Sequence, residues 1–253
     1  MEQIAPAIVG SVGDVQLSLP DFWRFLKSTY RLKEDLAAAL VEECAVRAAI
    51  DAGLTVSPDE LQQAANRCRY RLGLRSAADT HRWLASHVMT ADEWEQALSR
   101  KLLVEKFGAY LVDCHGESHF HQAPTRFERA RLRRIVVSSE GMARELLCQV
   151  NEEDRDFAEL AATHSLDNAS RSVGGAIGTI VRCQLNAASA EKVFAAQPGD
   201  TVGPVLEPEG YVVFLVEDLL PPSFDEAVRD VIKHELVARF VNEKRGQIEL
   251  CWQ

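Results

Sequence analysis

The stretch Val173-Gly174-Gly175-Ala176-Ile177-Gly178, with Asp156-Phe157-Ala158-Glu159-Leu160-Ala161 and Ser165-Leu166-Asp167 ahead of it, decides how the chain is read. Asp156 is a cap residue before an apolar-periodic run, so a helix starts there. The glycines 174, 175 and 178 mark a turn that leads into a strand. They do not make a phosphate loop, because no Lys-Ser or Lys-Thr follows and no parallel strand-helix unit surrounds them.

Working outward, Leu132, Ile135, Val136 and Val137 read as a buried strand, and Ser138 opens a helix through Leu146 and Leu147. Downstream come a short helical piece ending at Phe194 and two strands over 201–206 and 211–218. The order strand, helices, strand, helix, strand, strand predicts an α+β domain. Its small four-stranded sheet is mostly antiparallel and flanked by helices. Pro221-Pro222 closes it. Ser223-Phe224-Asp225-Glu226 then caps a last helix, whose Phe224, Val228, Ile232, Leu236 and Phe240 keep a four-residue spacing. That stripe is expected to dock on the N-terminal helices; left unburied, it would pair two copies into a homodimer.

From Leu17 to Val112 the pattern is helical. Ser18 before Pro20 and Asp21, Ser57-Pro58-Asp59-Glu60 and Thr90-Ala91-Asp92-Glu93 are three helix starts. Apolar residues fall on one face in each helix: Leu36, Leu40, Val41, Cys44 and Ala48; Leu61, Ala65, Cys68 and Leu72; Trp94, Leu98 and Leu102. The predicted organisation is a helical domain over 1–123, the α+β domain over 124–222, and a C-terminal helix over 223–253.

A 253-residue chain with 47% apolar residues is long enough for two such units. Its net charge of -10 excludes a general nucleic-acid binder, which needs clustered excess Lys and Arg. No apolar run approaches the roughly 20 residues of a membrane helix. The start Met1-Glu2-Gln3-Ile4-Ala5-Pro6 has no signal-like character, so a cytoplasmic location is expected. The six cysteines have no short repeated spacing and read as reduced, packed thiols.

Between Arg131 and Pro221 the chain resembles the parvulin (PpiC, or rotamase) family of peptidyl-prolyl cis-trans isomerases. The fragments quoted above, then Val193-Phe194-Ala195, Pro198-Gly199-Asp200, Gly203-Pro204-Val205 and Glu209-Gly210-Tyr211, occur in that family's order. The helical half, with Ala49-Ile50-Asp51-Ala52-Gly53-Leu54-Thr55-Val56-Ser57, is similar to the N-terminal domain of SurA-type chaperones. The resemblance implies a chaperone-like isomerase that uses no cofactor. Its partner is an unfolded or proline-containing polypeptide client, in the course of maturation or export.

What the family uses is a histidine pair, a Cys or Asp beside it, and an apolar cup for the proline ring. By that resemblance Arg134 and Val212 stand where the histidines would, and Asp167 where the Cys or Asp would. Asp167 and Arg134 are the catalytic candidates. The cup falls on Ile177, Leu185 and Ser189, the last in place of an aromatic, with Phe194 and Val212 as further substrate-binding positions. With both histidines replaced, two readings stay open: an isomerase, or a scaffold that binds peptide without catalysis.

Cys114, His115, Glu117, His119 and His121 are residue types that ligate zinc, but not at finger spacing. They read as polar residues at a helix end before a linker, and no metal is expected. Arg126, Arg129, Arg131, Arg133 and Arg134 read as solvated charges with local carboxylate partners.

Overall fold

The computed structural model describes residues 7–249. They divide into two compact units, one containing residues up to Asp113 and from Lys233 onward, the other Cys114–Ile232.

The first unit begins with a hairpin of β1 (Ile8–Val12) and β2 (Val15–Ser18), which the helical reading from Leu17 did not foresee. Ser18 then caps α1 (Leu19–Ser28), accepting from the Asp21 amide. Next come α2 (Arg31–Asp51) and α3 (Pro58–Arg71). Ser57 and Glu60 form the reciprocal capping box that satisfies two free N–H groups of α3. Lys106 bridges the Glu60 carboxylate at 2.6 Å, and its hydrogen bond, followed by that from the Ser57 amide, pushes the Glu60 carboxyl down to about 2. A further capping box, Ser76 with Asp79, starts α4 (Ala77–Ser86) and was missed in the sequence. Thr90 and Glu93 start α5 (Ala91–Gln122).

Val41 and Trp94 are buried as the spacing predicted, but much of the remaining buried face is rotated by about one residue. Ala45, Val46 and Ala49 of α2 meet Leu103 and Phe107 of α5. Leu40 and Leu72 are exposed, and Cys68, Leu98 and Leu102 only half-buried. The stretch Cys114 to Gln122 lies at a helix end, as expected, and forms the last turns of the 32-residue α5. Among the described residues, no three His, Cys, Asp or Glu side chains gather where a metal could be held.

The second unit is built on β3 (Arg129–Val137), β4 (Ala176–Val181), β5 (Thr201–Glu207) and β6 (Gly210–Leu220). They form one sheet in the order β4-β3-β6-β5, with all three pairings antiparallel, as an α+β domain requires. One sheet face, with Ile135, Val137 and Val213, packs on α6 (Glu140–Glu152) and α7 (Phe157–His164). The other face, with Leu132, Val136, Val212 and Phe214, packs on α9 (Ala187–Ala195), following the four-residue α8 (Asn168–Arg171). Alternation along each strand separates these two sets. Ser139, not Ser138, caps α6.

The last helix, α10 (Glu226–Gly246), is capped by Asp225 rather than Ser223: Asp225 Oδ1 accepts from the Val228 amide. Its stripe is buried within the chain. Val228 and Ile232 have no exposed surface, Phe224 lies 5.8 Å from the Phe120 ring, and Phe240 meets Phe107 edge-on at 5.0 Å. Leu236 is buried as well, and Phe224 and Phe240 are half-buried. Gly108 lets α10 approach α5, since a Cβ there would sit 3.3 Å from both Lys233 and Val237 side chains.

Candidate functional site

Arg134 lies on β3 between Leu132 and Val136 and so projects from the face that carries α9. Beyond the last β4 partner, the segment 165–175 takes over the edge of β3. The Arg134 amide donates to the Gly175 carbonyl (2.8 Å), the Leu166 amide donates to Val136 O (2.7 Å), and Ser165 Oγ accepts from the Val136 amide (3.2 Å). Gly175 has φ +78°, and a Cβ there would lie 2.5 Å from Arg134 O, so only glycine fits this approach.

The same segment delivers Asp167. Its Oδ2 accepts from Arg134 Nε at 2.8 Å and from Ser170 Oγ at 2.6 Å, while Oδ1 accepts from the Ala169 amide as the cap of α8. Burial alone would raise this carboxyl's pKa. The hydrogen bonds from Ser170 and Arg134, with the arginine charge and the Ala169 amide, outweigh it and hold Asp167 below the ordinary aspartate value. Asp167 is thus an ionised anchor for Arg134. Among the described residues the two terminal nitrogens of Arg134 have no hydrogen-bond partner, and the side chain keeps about a quarter of its surface open.

The apolar candidates fall on the same face. Ile177, Leu185 and Phe194 are half-buried and pack on the cluster around Val136, Val212 and Phe214. Arg182 covers one face of the Phe194 ring, 5.0 Å from its centroid, and is itself held by Glu128 at 2.5 Å. Two expected positions do not reach the surface. Ser189 is fully buried and donates to Glu207 Oε1 at 2.6 Å, a bond that satisfies its hydroxyl inside the domain. Val212 is also fully buried, paired with Val136 and Val205 in the middle of the sheet. Neither can touch a bound chain in this conformation.

The arginine run resolves largely into carboxylate pairs. Arg129 pairs with Asp225, Arg131 with Asp218 (3.4 Å) and Glu217 (3.5 Å), and Arg133 with Glu217 (2.6 Å). Sequence reasoning missed Ser165, Ser170 and Glu207. Ser170 carried a legible signal, three residues beyond Asp167 at capping distance; the other two act across the fold and had none.

Residues 135–218 match the family model described as "Rotamase: PPIC-type PPIASE domain". The chain is 26% identical over 162 residues to a "Parvulin-like PPIase" of Rickettsia bellii, covering 60% of this chain and 53% of the relative. It is 24% identical over 219 residues to a "Foldase protein PrsA" of Caldanaerobacter subterraneus subsp. tengcongensis, covering 86% of this chain and 65% of that one. The chain thus spans between half and two thirds of these curated relatives. A solved structure of foldase protein PrsA from Streptococcus pneumoniae superposes with a TM-score of 0.52 at 14% identity, covering 98% of this chain and 96% of that chain, a likeness of fold.

Proposed function

We propose, for a chain whose residues 135–218 carry a PPIC-type rotamase domain, that it binds extended proline-containing polypeptide clients and speeds rotation about their X-Pro bonds. Rotation about such a bond is slow because resonance keeps it planar, with a barrier of about 18–20 kcal/mol. No covalent bond need form. A catalyst has to seat the ring on apolar surface and donate a hydrogen bond to the twisted amide, whose nitrogen becomes a better acceptor as conjugation is lost.

The observation that carries this reading is the Arg134 guanidinium, tethered through Nε to an ionised Asp167 with its terminal donors uncommitted, on the sheet face that holds Ile177, Leu185 and Phe194. Arginine remains charged at all working pH values, so this donor needs no titrating partner. A scaffold that binds without catalysis is the second reading. It is favoured by the burial of Val212 and Ser189, which leaves Arg134 as the sole polar group of this constellation with spare donors.

Assistance to folding, maturation or export of particular clients belongs to the same proposal, supported by the foldase description of the Caldanaerobacter relative. A reducing compartment such as the cytoplasm is likewise proposed, supported by the free thiols of all five described cysteines.

Exchange NMR on a panel of uncharged X-Pro tetrapeptides tests the reading. Faster cis/trans exchange, lost in a folded Arg134→Ala variant, is the expected result. Peptide shifts without faster exchange would favour the scaffold, and neither shift nor exchange would overturn both.

A further inference from the structure

We propose that the cleft between α3 and α5 is a binding site for an acidic, leucine-rich segment of a polypeptide client. This rests on the reading of the chain as a client-binding protein and adds a subsite with its own chemistry.

The cleft is formed by two helix faces of matching spacing. From α3 come residues 64, 67, 68 and 71, and from α5 residues 98, 101, 102 and 105, each set at i, i+3, i+4, i+7. Its floor is apolar: Ala64, Cys68, Leu98 and Leu102. Cys68, Leu98 and Leu102 belong to the faces that the spacing predicted would pack into the core, yet they stay half-open, while Ala64 between them is buried. The volume of about 320 Å³ suits a few side chains of an extended or helical segment and is too small for a folded partner.

The rim selects the occupant. Arg67, Arg71 and Lys101 line it with one carboxylate, Glu105. Neighbouring cations of the same unit are neutralised: Arg100 reaches Glu42 and Glu43, each at 3.0 Å, and Lys106 reaches Glu60. Among the described residues, none of the three rim cations has an ion-pair or hydrogen-bond partner. In a chain of net charge -10, three unpaired cations around one apolar floor form a local positive field that draws in carboxylates and rejects basic segments. Leucines in the same segment would cover the floor, and its acidic residues would meet the rim.

The probe is a fluorescein-labelled peptide of alternating Glu-Glu and Leu-Leu pairs, followed by anisotropy with the full chain. Binding should weaken roughly tenfold in Arg67→Glu/Arg71→Glu and fall further with added salt. Replacing the peptide's Leu by Ser, or its Glu by Gln, should weaken it by a similar factor. Bound peptide should also slow alkylation of the free Cys68 thiol in the unmutated chain, a readout that does not depend on how the variant folds. Equal binding of the leucine-free peptide, tighter binding of a single-stranded oligonucleotide, an unchanged affinity in the folded double variant, or unprotected Cys68 would each overturn the proposal. If the unmutated chain fails to bind the Glu/Leu peptide while speeding X-Pro exchange, the cleft alone is removed; if it binds the peptide without speeding exchange, the isomerase reading alone is removed.

Discussion

Arg134 Nε donates to Asp167 Oδ2 at 2.8 Å, joining a sheet strand to the cap of a four-residue helix 33 positions later in the chain. The pair fixes the orientation of the guanidinium and leaves its two terminal nitrogens unspent. Asp167 is then a positioning residue: it accepts from Arg134, Ser170 and Ala169, and little of its carboxylate remains for a substrate. This division of roles differs from one in which the aspartate itself meets the client.

Replacing Asp167 by Asn should destabilise the domain by about 1–3 kcal/mol, through loss of a charge-assisted bond to Arg134. The effect should depend on pH. In the folded chain the carboxyl is held below the ordinary aspartate value, so the unfolded chain takes up its proton at higher pH than the folded one. The stability it contributes is complete above the ordinary aspartate value and is lost as pH falls through the lower, folded value. Urea denaturation of the parent and of Asp167→Asn should therefore draw together only as pH falls from the ordinary aspartate value through the lower, folded one. Parallel curves would show that Asp167 is not held ionised by its neighbours.

Gly175→Ala should cost about 2 kcal/mol or more, because the new Cβ meets the Arg134 carbonyl and φ is +78°. Gly178→Ala also strains a positive φ, but its Cβ would meet nothing within 4 Å. Thermal melts of the two variants separate backbone strain from the collision with β3. The collision should also disturb Arg134, so amide exchange at Arg134 should rise in Gly175→Ala and stay near the parent value in Gly178→Ala.

The sheet and its helices were legible because caps and short apolar runs are local signals, and each of Ser57, Thr90 and Asp156 lies at the helix start it announced. The β1–β2 hairpin was not, since its ten strand and turn neighbours from Ile8 to Leu17 bury almost nothing, and so show no contrast between an inner and an outer face. The helix faces came out rotated because Ala45, Val46 and Ala49 are as consistent with the spacing as Leu40 and Cys44; which set is buried depends on the partner helix. At the site, Arg134, Asp167, Ile177, Leu185 and Phe194 share one face or its rim, whereas the burial of Ser189 and Val212 follows from cross-sheet packing and from Glu207, 18 residues away from Ser189.

Ser189→Phe puts the aromatic that the family resemblance leads one to expect into a position with no exposed surface. The ring would have to displace neighbours in the Val193 and Val212 cluster, and Glu207 would lose the hydroxyl that donates to it. Overpacking of this kind costs about 1–3 kcal/mol. Chemical denaturation should register that loss, and X-Pro peptide titrations should show no gain in affinity. Tighter proline binding in this variant would mean that the α9 backbone opens the position to ligand.

Val212→His inserts an imidazole where the resemblance places one of the paired histidines, but the side chain here is fully buried between Val136 and Val205. Burial disfavours the imidazolium, so the folded pKa of the new histidine lies below its unfolded value of about 6.5. The unfolded chain then binds the extra proton first as pH drops. The variant should be less stable than the parent by about 1–3 kcal/mol at pH 8, and the deficit should grow by up to about 1.4 kcal/mol per pH unit below about 6.5 until the folded form also protonates. Exchange rates of X-Pro peptides should not rise, because a ring enclosed in the sheet cannot donate to a client amide. A deficit independent of pH, or faster exchange, would place the new imidazole at the surface and return this position to the site.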